Sequence, residues 1–143
     1  MVAPRLDVDL NKIFENAHSL VTRLSDYGVS VMGVTKVTLG SIEIASAMVQ
    51  AGTTSLGDSR IENIQSMRGY ELLKDVSMTL IRSPMISQAE QVVRYADASF
   101  NTEIAVIKRL SSEAKKQGCI HQIILMMELG DLREGIMPDD VIT

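Results

Sequence analysis

Tryptophan is absent from the 143-residue chain, and aromatic side chains make up only 3% of it. Too few rings remain to stack the bases of single-stranded nucleic acid. The single cysteine, Cys119, allows no internal disulfide and no cysteine-built metal cage. Only two histidines occur, His18 and His121, too few and too far apart in sequence for a metal site. Positive charge is not in excess: 14 basic residues face 18 acidic ones, a net charge of −4. Nucleic-acid and anionic-membrane surfaces need the opposite balance. No apolar run approaches the roughly 20 residues that span a bilayer. The opening Met-Val-Ala-Pro-Arg-Leu-Asp holds no apolar stretch of a secretory leader. A soluble cytoplasmic protein is expected. What is present is a globular balance, 45% hydrophobic and 22% charged. The length suits one domain with a real core.

The patterning is an alternation. Arg5 to Leu10 alternates apolar Leu6, Val8 and Leu10 with Arg5, Asp7 and Asp9, which predicts a half-exposed strand. Leu10, Ile13, Phe14, Ala17, Leu20, Val21 and Leu24 then fall on one face of a helix, with Asn11 as its cap and Gly28 past its end. From Val29 a unit repeats. Apolar strands are expected near Val29–Val34, Thr54–Gly57, Ser77–Ile81, Ala98–Phe100 and Gln122–Glu128, and a helix follows each of the first four. Ser41 caps one helix, closed by Gly52. Ser59–Glu62 and Ser87–Glu90 have the spacing of capping boxes. Asn101 or Thr102 caps the last long helix, closed by Gly118. The strands are apolar without clean alternation, as in a parallel sheet covered by helices. The fold class is α/β with a mainly parallel sheet. Either an open doubly wound sheet or part of a (β/α)8 barrel fits. No Gly-x-Gly-x-x-Gly follows a strand, so the dinucleotide-binding version lacks its main sign. A barrel needs about 250 residues, so a barrel here is partial, with about five βα strands.

In both architectures ligands bind at the C-terminal strand ends. Those positions hold Thr35 and Lys36; Asp58, Ser59 and Arg60; Arg82 and Ser83; Asn101; and Glu128, followed by a Gly130–Gly135 loop with Asp131, Arg133 and Glu134. Polar residues are also expected there because strand ends approach solvent, and Ser59 and Asn101 have capping roles. Lys36 is the sharper candidate. It follows the apolar Val31-Met32-Gly33-Val34. A lysine among apolar neighbours and cations loses solvation for its charged form. Its neutral amine can attack a carbonyl and form a Schiff base. Arg82 and Arg133 would add repulsion if they share that mouth, and either could hold a phenolate or carboxylate. A snorkelling structural lysine is the commoner use of such a position. Cys119 reads as a small apolar residue, His18 as solvated, His121 as the start of the fifth strand, and the nine methionines as core filler.

Three segments in order, Val34-Thr35-Lys36-Val37, Leu56-Gly57-Asp58-Ser59-Arg60-Ile61-Glu62-Asn63 and Glu128-Leu129-Gly130-Asp131-Leu132-Arg133-Glu134-Gly135, resemble the N-terminal barrel domain of the alanine racemase family. The resemblance runs from about Arg5 to Met137. It is strongest to the branch of amino-acid racemases that includes ornithine racemase-like proteins. It implies a pyridoxal 5′-phosphate enzyme on a (β/α)8 barrel that racemises an amino acid at its α-carbon. Lys36 then matches the lysine that joins the cofactor and serves as one of two bases. Arg133 matches the arginine beside the cofactor's phenolic oxygen. Gly57-Asp58-Ser59-Arg60 matches a segment near the cofactor ring edge in single-domain relatives. Arg82 and Asn101 join this cofactor-binding set by strand-end position, Arg82 also as a contact for the substrate carboxylate. No metal is implied, and the partners are a small amino acid and further copies of the chain.

Some features depart from the family. The tyrosine found four residues after the lysine in alanine racemase proper is Gly40, and the carbamylated-lysine position is Met126. Both favour the other branch. The phosphate cradle, the arginine at the pyridine nitrogen and the second base belong to later segments, so residues 1–143 correspond to the N-terminal part of such a barrel. The Arg5–Leu10 strand would pair with a C-terminal β domain. Two other readings stay open: a pyridoxal phosphate carrier without racemase activity, which the Gly57–Arg60 segment fits equally, and an inactive truncated fragment that self-associates to cover open strand edges.

Overall fold

Strand order decides between the two architectures. The structure, a computed structural model, describes residues 4–142; Met1–Ala3, part of the stretch read for a leader, and Thr143 lie outside the described residues. The elements run α1 (Leu10–Ser25), β1 (Met32–Val34), α2 (Ile42–Gln50), β2 (Ser55–Asp58), α3 (Ile61–Arg68), β3 (Ser77–Leu80), α4 (Ala89–Tyr95), β4 (Ala98–Asn101), α5 (Ile104–Gln117) and β5 (Gln122–Leu125). The five strands are parallel and lie in chain order, β1-β2-β3-β4-β5. A doubly wound sheet reverses direction midway. Strictly sequential order with right-handed crossovers keeps every connecting helix on one face, as in the wall of a barrel.

The glycines identify the two faces. A Cβ on Gly33 would lie 2.8 Å from the Met48 sulfur of α2, so Gly33 faces the helices. A Cβ on Gly57 would meet Met32 at 2.7 Å and Ile81 at 3.0 Å, so those residues share the opposite face. Parallel register carries each face across the sheet: Gly33 pairs with Leu56, Leu56 with Met78, Asp58 with Leu80 and Leu80 with Ser99. The helix-facing row makes the core. Leu56, Met78 and Leu80 pack with Ile61, Ile64 and Met67 of α3, Val92 of α4 and Leu110 of α5, all buried. Each such side chain stabilises the fold by about 1.5–3 kcal/mol. The other face is open. Val34 and Ile124 are exposed on it, and every residue of β5 is exposed.

Several local expectations give way to longer-range partners. Residues 4–9 form no strand: no neighbouring edge is present among the described residues, and Leu6 is exposed. Asp9, not Asn11, caps α1, its carboxylate accepting from the Asn11 and Lys12 amides. Ser59 does not cap α3. The helix starts one residue later, with Arg60 at the cap position, and the Arg60 amide goes to the Asp58 carboxylate at 2.9 Å. Ser87 does not cap α4, which is entered through a tight turn over Ile86–Gln88 where the Gln88 side chain accepts from the Met85 amide. Neither Asn101 nor Thr102 caps α5, which starts after Glu103. Asn101 ends β4 instead, buried, its amide donating to the Ser99 carbonyl and hydroxyl oxygens. Ser41, Gly52 and Gly118 act as expected. His121 precedes β5. Its Nδ1–H donates to the Ala96 carbonyl, so Nε2 accepts from the Ser99 hydroxyl; burial holds its pKa below the usual histidine range.

Candidate active site

Because all five strands run the same way, their C-terminal ends share one rim. The chain leaves β1 through Thr35 into a tight turn over Lys36–Thr38. Met32 and Val34 mark the face away from the helices, and Lys36 follows Val34 by two residues. The Lys36 amine is exposed and has no hydrogen-bond or ion-pair partner among the described residues. The dry mouth expected around it is not formed by the described residues, because five strands leave the open face uncovered.

Ser59, Arg60 and Arg82 come together. They line one cavity of about 240 Å3 between the start of α3 and the Ile86–Gln88 turn, with Ser83 and Gln88. Arg60 stands 3.9 Å from Glu62. Arg82 has no partner among the described residues. Asp58 and Asn101 lie apart from this cavity, fully buried in the helix-facing row. The Asp58 carboxylate accepts from the Thr35 hydroxyl at 2.7 Å, the Arg60 amide at 2.9 Å and the Asn63 side chain at 3.0 Å. Asn101 keeps one amide oxygen buried and unpartnered.

Arg133 sits in an exposed loop whose closure depends on Glu128. The Glu128 carboxylate accepts from the Gly130 and Leu132 amides. The loop is pinned by Glu128 N–H to the Ile136 carbonyl and Ile136 N–H to the Met126 carbonyl, both 2.9 Å. At Gly135, φ is +138° and a Cβ would lie 2.5 Å from the Glu128 amide nitrogen, so only glycine fits. Sequence reasoning placed Glu128 at a strand end but missed this role; the two flanking glycines were its available signal. Hydrogen bonds from Leu132 and Gly130 hold the Glu128 pKa below the usual carboxylate value. The sign follows: with the folded pKa depressed, loop closure is fully present above the unfolded carboxylate value and is lost as pH falls through the folded one. Protection of the Leu132 amide against hydrogen exchange is therefore expected to fall on acidification below about pH 4. Glu128→Gln should abolish that step. A pH-independent Leu132 protection factor in the unaltered protein would contradict this account.

An unpartnered primary amine and an unpartnered guanidinium at one rim are a donor set for an aldehyde and for an anionic oxygen. No helix among the described residues is long and apolar enough to cross a membrane.

The family described as alanine racemase, N-terminal domain, matches residues 8–143. The lysine racemase of Thermotoga maritima is 36% identical over 136 residues, which is 95% of this chain and 38% of that protein. The ornithine racemase of Acetoanaerobium sticklandii is 33% identical over 132 residues, 92% of this chain and 36% of that protein. The chain thus spans less than two-fifths of the curated relatives it matches. Alanine racemase from Streptomyces coelicolor superposes with a TM-score of 0.81 at 23% identity, over 92% of this chain and 35% of that one. PipY of Synechococcus elongatus, solved with PLP bound, gives 0.76 at 22% identity, over 90% and 60%. At these identities the likeness is one of fold, and the fold is that of an alanine racemase barrel.

Proposed function

The chain belongs to the family of alanine racemase N-terminal domains, and from that premise we propose that it forms the first five βα units of a pyridoxal phosphate-dependent amino-acid racemase. The relatives named for lysine and ornithine support a substrate with an amine-bearing side chain. One observation carries the reading: Lys36 follows β1 at the C-terminal rim of the parallel strands, where barrels build their sites.

Pyridoxal phosphate, when bound, supplies an aldehyde for amines and a ring that takes up the electron pair left at the α-carbon. The chain's own residues do the rest. Lys36 Nζ would hold the cofactor's aldehyde and, as a free amine, would take or return the α-proton on one face. Arg133 would hold the anionic ring oxygen through its guanidinium. Arg82, with Ser59 and Arg60 lining the same cavity, offers a guanidinium to the substrate carboxylate. Racemisation needs a base on the second face, and none of the described residues is assigned to it. An assembly of more than one copy is part of the proposal. A cytoplasmic setting is part of the proposal.

The test is to add pyridoxal phosphate, reduce with borohydride, map the modified peptide, and follow α-proton exchange of lysine, ornithine and alanine in deuterated water. Labelling at Lys36 with exchange of a basic amino acid is the expected result. Labelling at Lys36 without exchange assigns the chain to the carriers. Labelling elsewhere overturns the cofactor assignment.

A further inference from the structure

We infer, resting on that reading, that Asp58 is a positioning residue for Lys36: its buried carboxylate clamps both ends of the turn that presents the amine. One end is held directly. Asp58 Oδ2 accepts from the Thr35 hydroxyl at 2.7 Å, and Thr35 immediately precedes Lys36. The Thr35 amide also donates to the Gly57 carbonyl at 2.9 Å, so the residue is tied to β2 by backbone and side chain. The other end is held through Asn63, whose side-chain amide donates to Asp58 Oδ1 at 3.0 Å. Asn63 stands against Gly40: a Cβ on Gly40 would lie 2.7 Å from the Asn63 Cβ. Gly40 therefore seats against Asn63 with no room for a side chain, and it adopts φ +69° after Leu39 at φ +54°.

Between these anchors the turn closes on itself. The Thr35 carbonyl accepts from the Thr38 amide, the Thr38 hydroxyl and the Gly40 amide. Leu39, exposed at the tip of the turn, takes the left-handed region with its amide donating to the Lys36 carbonyl at 3.4 Å. Asp58 touches none of the open face itself; it acts through Thr35 and Asn63.

The experiment compares Thr35→Val, Thr35→Ser and Asp58→Asn in the full chain. Two readouts are taken: hydrogen exchange of the Thr38–Ser41 amides without cofactor, and the borohydride-trapped pyridoxal phosphate label at Lys36 relative to Lys74, Lys108 and Lys115. Thr35→Val removes the donor and should raise turn exchange at least about ten-fold and cut the Lys36 label ratio by a similar factor, with the unfolding midpoint as a check on folding. Thr35→Ser keeps the donor and should restore both to within about two-fold. Asp58→Asn should follow Thr35→Val; should it fail to fold, the Thr35 pair decides alone. Equal behaviour of the serine and valine variants overturns the clamp. So does faster exchange with an unchanged label ratio, which would make Asp58 structural only. Absence of a Lys36 label in the unaltered protein overturns the functional reading instead, because the exchange readout needs no cofactor.

Discussion

In the racemase proposed above, Lys36→Ala is expected to leave a folded protein whose racemisation rate is lower by at least about 10³-fold and whose borohydride label is gone. The two halves of this result have separate causes. The fold survives because Lys36 is exposed and no described residue depends on its amine. Truncating such a side chain strands no buried donor or acceptor, so stability should move by no more than about 0.5 kcal/mol. The activity falls because the same nitrogen is assigned two tasks, attachment to the aldehyde and proton transfer at the α-carbon. A positioned general base alone contributes about 10²–10⁴-fold. Lys36→Arg should not rescue, since a guanidinium stays protonated and cannot serve as nucleophile or base. Lys74→Ala is the control: its ammonium pairs with Glu71 on the surface, at 2.6 Å, and its removal should leave the rate unchanged. Racemisation by Lys36→Ala at the unaltered rate, or a loss of several kcal/mol in its stability, would each defeat the assignment.

The repeating unit was legible because each strand and helix carries its own local signal. Apolar runs bounded by Gly52 and Gly118 place β2 and β5, and Ser41 caps α2 as read. The position of Lys36 was legible for the same reason: one apolar strand ends there. Facing was not legible. A strand without alternation gives no parity, and a shift of one residue exchanges the two faces of a sheet. Asp58 and Asn101 do end their strands as read, but the register turns them into the helix-facing row with Leu80 and Leu125. Asp58 to Thr35 spans 23 residues, a contact that no local pattern signals. The period-two run Arg5–Leu10 fails differently. Its pattern suits a strand, but a strand exists only when another edge completes its hydrogen bonds, and no described residue supplies one.

Arg68→Ala is expected to cost about 2–4 kcal/mol of folding stability and to lower the unfolding midpoint by roughly 6–12 °C. Arg68 ends α3, and its mostly buried guanidinium bonds four groups. Nε donates to the Tyr95 carbonyl at 3.1 Å, Nη1 to the Lys74 and Val76 carbonyls at 2.7 and 2.8 Å, and Nη2 to Asp97 at 2.7 Å. These acceptors precede β3 and β4, so one side chain fastens the end of a helix to the entries of two strands. The ion pair is the smaller share. Asp97 is about half exposed, where such pairs contribute roughly 0–1 kcal/mol. The carbonyls matter more, because the planar fork reaches them together and alanine leaves them without a donor. Arg68→Lys should recover less than half the loss: a single ammonium cannot span Tyr95, Val76 and Asp97 at once. Asp97 also accepts the Met78 amide at 2.8 Å, so disorder at Asp97 would loosen the start of β3 as well. All of this lies at the N-terminal strand ends, the rim opposite Lys36. Below the lowered midpoint, the Lys36 label should therefore match that of the unaltered protein. A stability loss under about 1 kcal/mol would show that solvent replaces the guanidinium at these carbonyls, and that α3 is held by its buried Ile61, Ile64 and Met67 alone.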